Sequence, residues 1–340
     1  MSYIDSVIPF EPHPLLRNAH LMTLVATRLP RKFRHLTPHV ERLFEVEPGS
    51  QILGHCHWQK EPRRHSTLVL VHGLEGSTES LYMLGTANKA LAAGFNVIRL
   101  NQRNCGGTER LTPTLYNNSL SGDYRAVVTE LIERDLLPEI FIAGWSMGGN
   151  LVLKMAGEFS ETFPAALRGV AAVCPSFDLL VSAPVCDAPQ NRFYRWHFVR
   201  NLKRRYRTKV QLFPERYKLD GLERIISIGD FDNLVTAPNF GYRDATDYYD
   251  RASAIRVVAA IRVPTLVLTA QDDPLIPFES FQKPELVRNQ HITLVAPERG
   301  GHCGFVSRRD GDERFWAEAR IIEFCIGRSV VTAKRKTTSE

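Results

Sequence analysis

Ala143-Gly144-Trp145-Ser146-Met147-Gly148-Gly149-Asn150 decides how this chain is read. A β-branched apolar run, Glu139-Ile-Phe-Ile-Ala143, leads into it, and a helical pattern, Asn150-Leu-Val-Leu-Lys-Met-Ala156, leads out. Gly-x-Ser-x-Gly at a strand-to-helix junction is the pattern of a nucleophile elbow. The serine there sits on a strained turn that projects its hydroxyl into solvent. Glycines flank it because strand and helix pass too close for side chains. The pentapeptide alone is weak evidence: with Gly at ~7% and Ser similar, chance supplies about one per ten chains of this length. Its position between a strand and a helix makes it specific.

Outward from the elbow, short apolar runs alternate with longer helical patterns. The runs are Thr67–Val71, Phe95–Leu100, Gly169–Val173, Pro264–Thr269 and His291–Ala296. Strands apolar on both faces belong to a mostly parallel sheet flanked by helices, so the fold class is α/β. Residues 40–47 and 52–58 read as two strands around the turn Pro48-Gly49-Ser50. Between about 175 and 245 the alternation stops. Phe193, Trp196, Val199, Leu202 and Tyr206 recur there every three or four residues, which predicts one amphipathic helix in a cap insertion. The whole chain reads as a single domain over 1–340 with this cap at 175–245 inserted in it, a last helix near 313–326 and a polar, basic, frayed tail at 327–340.

Three further loops fall at strand ends, where sites in open α/β sheets lie. His72-Gly73-Leu74-Glu75-Gly76-Ser77 is a Gly-rich turn that lets a backbone N–H approach a substrate carbonyl. The N–H groups of Leu74 and Met147 are therefore the candidate oxyanion donors. Downstream come Asp272-Asp273-Pro274 and then Gly300-Gly301-His302. Serine, acid and histidine in this order make a nucleophile, an orienting carboxylate and a base. Such a set transfers an acyl group to water with no metal or organic cofactor.

These features together resemble the α/β-hydrolase fold, YheT-like branch, and the similarity runs nearly the whole length. It is carried by Asn18-Ala-His20-Leu-Met-Thr23, His72–Ser77 with Tyr82, Cys105-Gly-Gly107 before Tyr116, and the elbow. Leu234-Val-Thr-Ala-Pro238, Tyr248-Tyr249 before Ser253, Asp272-Asp-Pro274 and Gly301-His302 complete it. Arg103-Asn104-Cys105 and Tyr116-Asn-Asn-Ser119 depart from the family pattern, outside the triad. The resemblance implies a serine esterase with the triad on Ser146, Asp273 and His302. Asp273 starts Asp-Pro-Leu-Ile-Pro277, which matches the family's spacing, and Asp272 is left to cap the turn or bond the backbone. Short- to medium-chain acyl esters or monoacylglycerols are the implied substrates. An acyltransferase would use the same triad, and a non-catalytic binding protein would share the fold.

Composition narrows the partners. With 340 residues, 44% apolar and 24% charged, the chain has material for a large core, and a net charge of +6 does not call for nucleic acid. Met1–His20 carries Asp5, Glu11 and three prolines, which is no signal peptide, and no run reaches the ~20 apolar residues of a membrane span. A cytoplasmic protein with six reduced cysteines is expected. His55-Cys56-His57 lacks further zinc ligands at suitable spacing and reads as an exposed strand edge. In the cap, Arg192, Arg195, Arg200, Lys203, Arg204, Arg205, Arg207 and Lys209 interleave with aromatic residues. We read a solvated basic face, with the rings covering the sheet and lining an acyl pocket. Peripheral contact with anionic lipid is the other reading that suits an esterase.

Overall fold

A computed structural model describes residues 8–331. Its strands are β1 (Val40–Glu47), β2 (Ser50–His57), β3 (Thr67–Val71), β4 (Asn96–Leu100), β5 (Ile140–Trp145), β6 (Leu167–Val173), β7 (Thr265–Leu268) and β8 (Ile292–Val295). They form one sheet in the order β1-β2-β4-β3-β5-β6-β7-β8. β1 and β2 are antiparallel to each other, β2 is antiparallel to β4, and every later pairing is parallel. The apolar runs follow from this arrangement. Alternate residues of a strand face opposite sides, and here both sides are covered. Val69, Val71, Ile140 and Ile142 enter one core, and Leu68, Leu70, Phe141 and Ala143 enter the other.

Helices α1 (Ala19–Ala26), α2 (Leu81–Ala92), α3 (Ser121–Glu133) and α4 (Met147–Phe159) precede the insertion. α5 (Leu179–Asp187), α6 (Arg192–Leu212) and α7 (Ala245–Ala252) lie within it, and α8 (Trp316–Arg328) ends the fold. α3 and α4 supply Val127 and Leu151 to the first core, and α2 and α8 supply Met83 and Ile321 to the second. The inserted helices stand between β6 and β7 and extend a few residues past 245. Asn118 N–H donates to Tyr248 Oη at 2.8 Å, and Asn150 Nδ2 donates to the Ala252 carbonyl at 3.1 Å, which ties α7 to the main body.

Four expectations need correction. On α6, Val199, Leu202 and Tyr206 are buried, but Phe193 and Trp196 are 71% and 61% exposed and cover no sheet. Nor is the basic face uniformly solvated: Lys209 is fully buried and donates to the carbonyl of Glu109 at 3.0 Å. Burial pushes its ammonium down to about 8. His55-Cys56-His57 lies on an interior strand and is buried, because β1 and β4 pair with both of its edges. The tail is held past Gly327: Ser329 Oγ bonds Glu139 Oε2 at 2.8 Å, and Val330 N–H bonds Glu139 Oε1 at 2.9 Å. The part of that tail from 332 onward lies outside the described residues.

Candidate active site

The elbow after β5 holds Ser146 at φ 52 and ψ −116, a conformation costly for any residue with a side chain. The glycines around it are steric necessities. A Cβ on Gly144 would stand 2.2 Å from the Gly148 carbonyl oxygen, and one on Gly148 would stand 2.5 Å from the carbonyl oxygen of Val71. This close approach of α4 to β3 and β5 requires glycine at both positions.

From the loops after β7 and β8 come the other two members. Ser146 Oγ lies 2.9 Å from His302 Nε2, and His302 Nδ1 lies 2.8 Å from Asp273 Oδ2. The second oxygen of Asp273 accepts the N–H groups of Leu275 at 2.9 Å and Ile276 at 3.0 Å. Its carboxylate is thus fully buried, and both of its oxygens have hydrogen-bond partners. Asp272 turns the other way, and its Oδ1 accepts the Gly301 N–H at 2.9 Å. Burial weighs most on the His302 ring and opposes its protonation. The Asp273 carboxylate and the Cys303 thiol outweigh burial and raise the imidazole well above its ordinary value.

Met147 opens α4, so its N–H has no partner within the helix. Leu74 lies in the loop after β3, and among the described residues its N–H makes no hydrogen bond. That loop lies against the serine: a Cβ on Gly73 would stand 3.2 Å from Ser146 Cβ. Tyr82 Oη accepts the Gly73 N–H at 3.0 Å. His72 Nδ1 bonds the Gly73 carbonyl at 2.7 Å, and its Nε2 accepts the Gln102 N–H at 3.0 Å. Burial pushes His72 down to about 4, so it is a neutral ring held in one tautomer.

Two supports were not legible as site residues in the sequence. Glu75 takes φ 58 and accepts from Arg205 Nη2 at 2.9 Å and from Tyr116 Oη at 2.5 Å. Arg205 therefore clamps α6 onto the Leu74 loop and does not belong to a solvated face. The other support is α1. Thr23 Oγ accepts the His302 N–H at 2.9 Å, and a Cβ on Gly301 would meet the Ala19 carbonyl at 2.6 Å. His20 stacks on Tyr194 of α6, which joins the N-terminal helix to the insertion. Only the resemblance pointed to Asn18–Thr23, since no local spacing links residue 23 to residue 302.

Two groups of potential metal ligands meet among the described residues: Cys174, His302 and Cys303, and His39, Glu41 and His55. In the first, both ring nitrogens of His302 already face Asp273 and Ser146. In the second, cross-strand pairing brings Glu41 opposite His55, which spacing along the chain could not reveal. The His39 and His55 rings stack at 4.0 Å and 10°, so their in-plane lone pairs run side by side and do not converge on one ion.

Residues 66–308 match the α/β-hydrolase fold family. The chain is 28% identical to YheT of Escherichia coli (strain K12) over 325 residues, 93% of each. It is 29% identical over 259 residues to the monoacylglycerol lipase of Saccharomyces cerevisiae (strain ATCC 204508 / S288c), covering 74% of this chain and 57% of that one. This chain thus spans less than two thirds of the yeast lipase. Among solved structures, Est1E from Butyrivibrio proteoclasticus superposes with a TM-score of 0.53 at 16% identity, covering 85% of this chain and 98% of that one, a likeness of fold. No helix among the described residues is long and apolar enough to cross a membrane. With its sheet order, its elbow and these similarities, the chain belongs to the α/β-hydrolase fold family as a YheT-like hydrolase of the carboxylesterase/lipase type.

Proposed function

We propose that this hydrolase cleaves carboxylic esters by two-step acyl transfer through Ser146, His302 and Asp273. The reading is carried by the continuous line Ser146 Oγ–His302 Nε2–His302 Nδ1–Asp273 Oδ2, with steps of 2.9 and 2.8 Å. His302 takes the Ser146 proton as the oxygen attacks the ester carbonyl, and Asp273 holds the ring in the tautomer that leaves Nε2 free to accept. The carbonyl oxygen becomes an oxyanion, to which the N–H groups of Leu74 and Met147 donate. His302 then protonates the leaving alcohol. Water, deprotonated by the same ring, attacks the acyl-enzyme and releases the acid.

Short- to medium-chain acyl esters and monoacylglycerols are the proposed substrates, in keeping with the similarity to the yeast monoacylglycerol lipase. A panel of p-nitrophenyl esters of graded chain length tests this, and a monoacylglycerol series tests the alcohol side. An added alcohol that diverts the acyl group from water would show an acyltransferase. Ser146→Ala should abolish both turnover and labelling by a fluorophosphonate probe while the circular dichroism spectrum stays that of the wild type. Equal labelling of the two proteins would remove Ser146 from its role.

A further inference from the structure

Cys174 follows the last residue of β6, and Cys303 follows His302. They are 129 positions apart in the chain, yet the Cys303 N–H donates to Cys174 Sγ at 3.3 Å. Their sulfurs lie within 4.8 Å of each other. Each also touches the other's flanking backbone. Cys303 Sγ is 3.7 Å from the Val173 carbonyl oxygen, and Cys174 Sγ is 3.8 Å from that of Gly301. Both residues hold positive φ, 43 at Cys174 and 58 at Cys303, so two unfavourable backbone conformations face each other across this contact.

Cys303 differs from the other cysteines, Cys174 included, whose thiol burial raises well above its ordinary value. Burial alone dominates Cys56, Cys105 and Cys186 and pushes each thiol up to about 12, where it is inert. Cys303 is buried too, but hydrogen bonding from the Cys174 thiol and the charge of His302 overcome burial and bring it down to about 6. It is also partly exposed, whereas Cys174 is enclosed. A reagent that reaches this pair therefore meets the more acidic Cys303 thiol first, with the Cys174 thiol behind it.

We propose that Cys174 and Cys303 form an oxidation site at which a hydroperoxide closes a disulfide, and that this disulfide switches off the adjoining Ser146–His302 centre. The Cys303 sulfur attacks the terminal oxygen of the hydroperoxide, the O–O bond breaks, and sulfur loses two electrons to become a sulfenic acid. The leaving hydroxide or alkoxide takes a proton and departs as water or alcohol. The Cys174 thiol then attacks the sulfenic sulfur, the S–O bond breaks, and a second water leaves with the thiol proton. The two thiols and one hydroperoxide become one disulfide, one water and one further water or alcohol. An S–S bond of about 2.05 Å is far shorter than a sulfur–sulfur contact, so closure draws residue 303 toward β6. His302 is bonded directly to that residue. A displacement of about 1 Å in a reacting group costs about 100-fold in rate.

The consequence for activity rests on the ester-hydrolase reading above, and the test separates the two. The full-length protein is treated with hydrogen peroxide, digested without reduction and mapped by mass spectrometry. Turnover and fluorophosphonate labelling of Ser146 are followed in parallel. A Cys174–Cys303 peptide should accumulate as turnover falls about 100-fold, and dithiothreitol should reverse both. Cys303→Ser should form no cross-link and keep its turnover under peroxide. Cys174→Ala should form no cross-link and pass on to a sulfinic acid that dithiothreitol does not restore. In the wild type, loss of turnover without the cross-linked peptide overturns the proposal, and so does full turnover in cross-linked protein. If untreated protein is never labelled at Ser146, the ester-hydrolase reading fails, while the peptide map still judges the cysteine pair.

Discussion

Asp272 and Asp273 are neighbours of identical chemistry doing different work. One accepts a loop N–H at Gly301, and the other orients the imidazole. Asp273→Asn should keep the fold and lower turnover by about 10⁴, because the amide cannot hold the ring in the required tautomer. Asp272→Asn should act mainly on thermal stability, through the loop that carries Gly301. A larger loss of turnover from Asp272→Asn in folded protein would transfer the role to it. His302 makes the pH dependence specific. A protonated imidazole cannot act as base, and the raised pKa of the free enzyme extends that form to higher pH. The kcat/KM profile should therefore rise with pH through a midpoint above 6.5, the ordinary histidine value. Asp273→Asn removes the charge that raises the pKa and should shift the midpoint downward. A profile flat from pH 5 to 9 would count against His302 as the base.

At the scale of elements, α6 is a brace as well as a cover. Arg205 is 12% exposed and Glu75 is 3% exposed, so removing one partner strands a buried charge. Breaking such a pair costs about 3–5 kcal/mol. Arg205→Ala should lower the melting temperature and also reduce kcat on a small soluble ester, by up to about 100-fold if the Leu74 N–H loses its aim. Arg204, one residue earlier, is exposed, and Arg204→Ala should change neither quantity. A drop in melting temperature with unchanged kcat would show that the clamp serves stability alone. α1 acts in the same way on the other side, through Thr23 at the backbone of His302.

For the whole molecule, the outer side of α6 is the unusual surface. Phe193 and Trp196 stand exposed there with Arg192 and Arg200 over their rings at 5.1 and 5.3 Å. α1 adds the exposed Leu21 and Leu24, and the His20–Tyr194 contact holds the two helices together beside the triad. Apolar rings framed by guanidinium groups suit the headgroup region of an anionic bilayer. The double change Phe193→Ala with Trp196→Ala should weaken sedimentation with phosphatidylglycerol vesicles and leave turnover of a soluble ester unchanged. Equal binding of variant and wild type would discard this surface.

The sequence by itself determined what local rules control. Strand runs apolar on both faces demanded a covered parallel sheet, and the glycines around Ser146 demanded a strand-helix approach too close for side chains. The order serine, acid, histidine at three strand ends marked the candidate site, and the family resemblance preferred Asp273 to Asp272. Tertiary structure decided everything that depends on pairing between distant segments. It made β2 an interior strand, drew Arg205 into an ion pair with Glu75, buried Lys209 while leaving Phe193 and Trp196 in solvent, and set Thr23 against His302 and Cys174 against Cys303. Helical periodicity reports which residues share a face, but a charged residue's burial depends on whether the opposing surface offers it a partner. For Arg205 that partner is Glu75, 130 positions earlier in the chain.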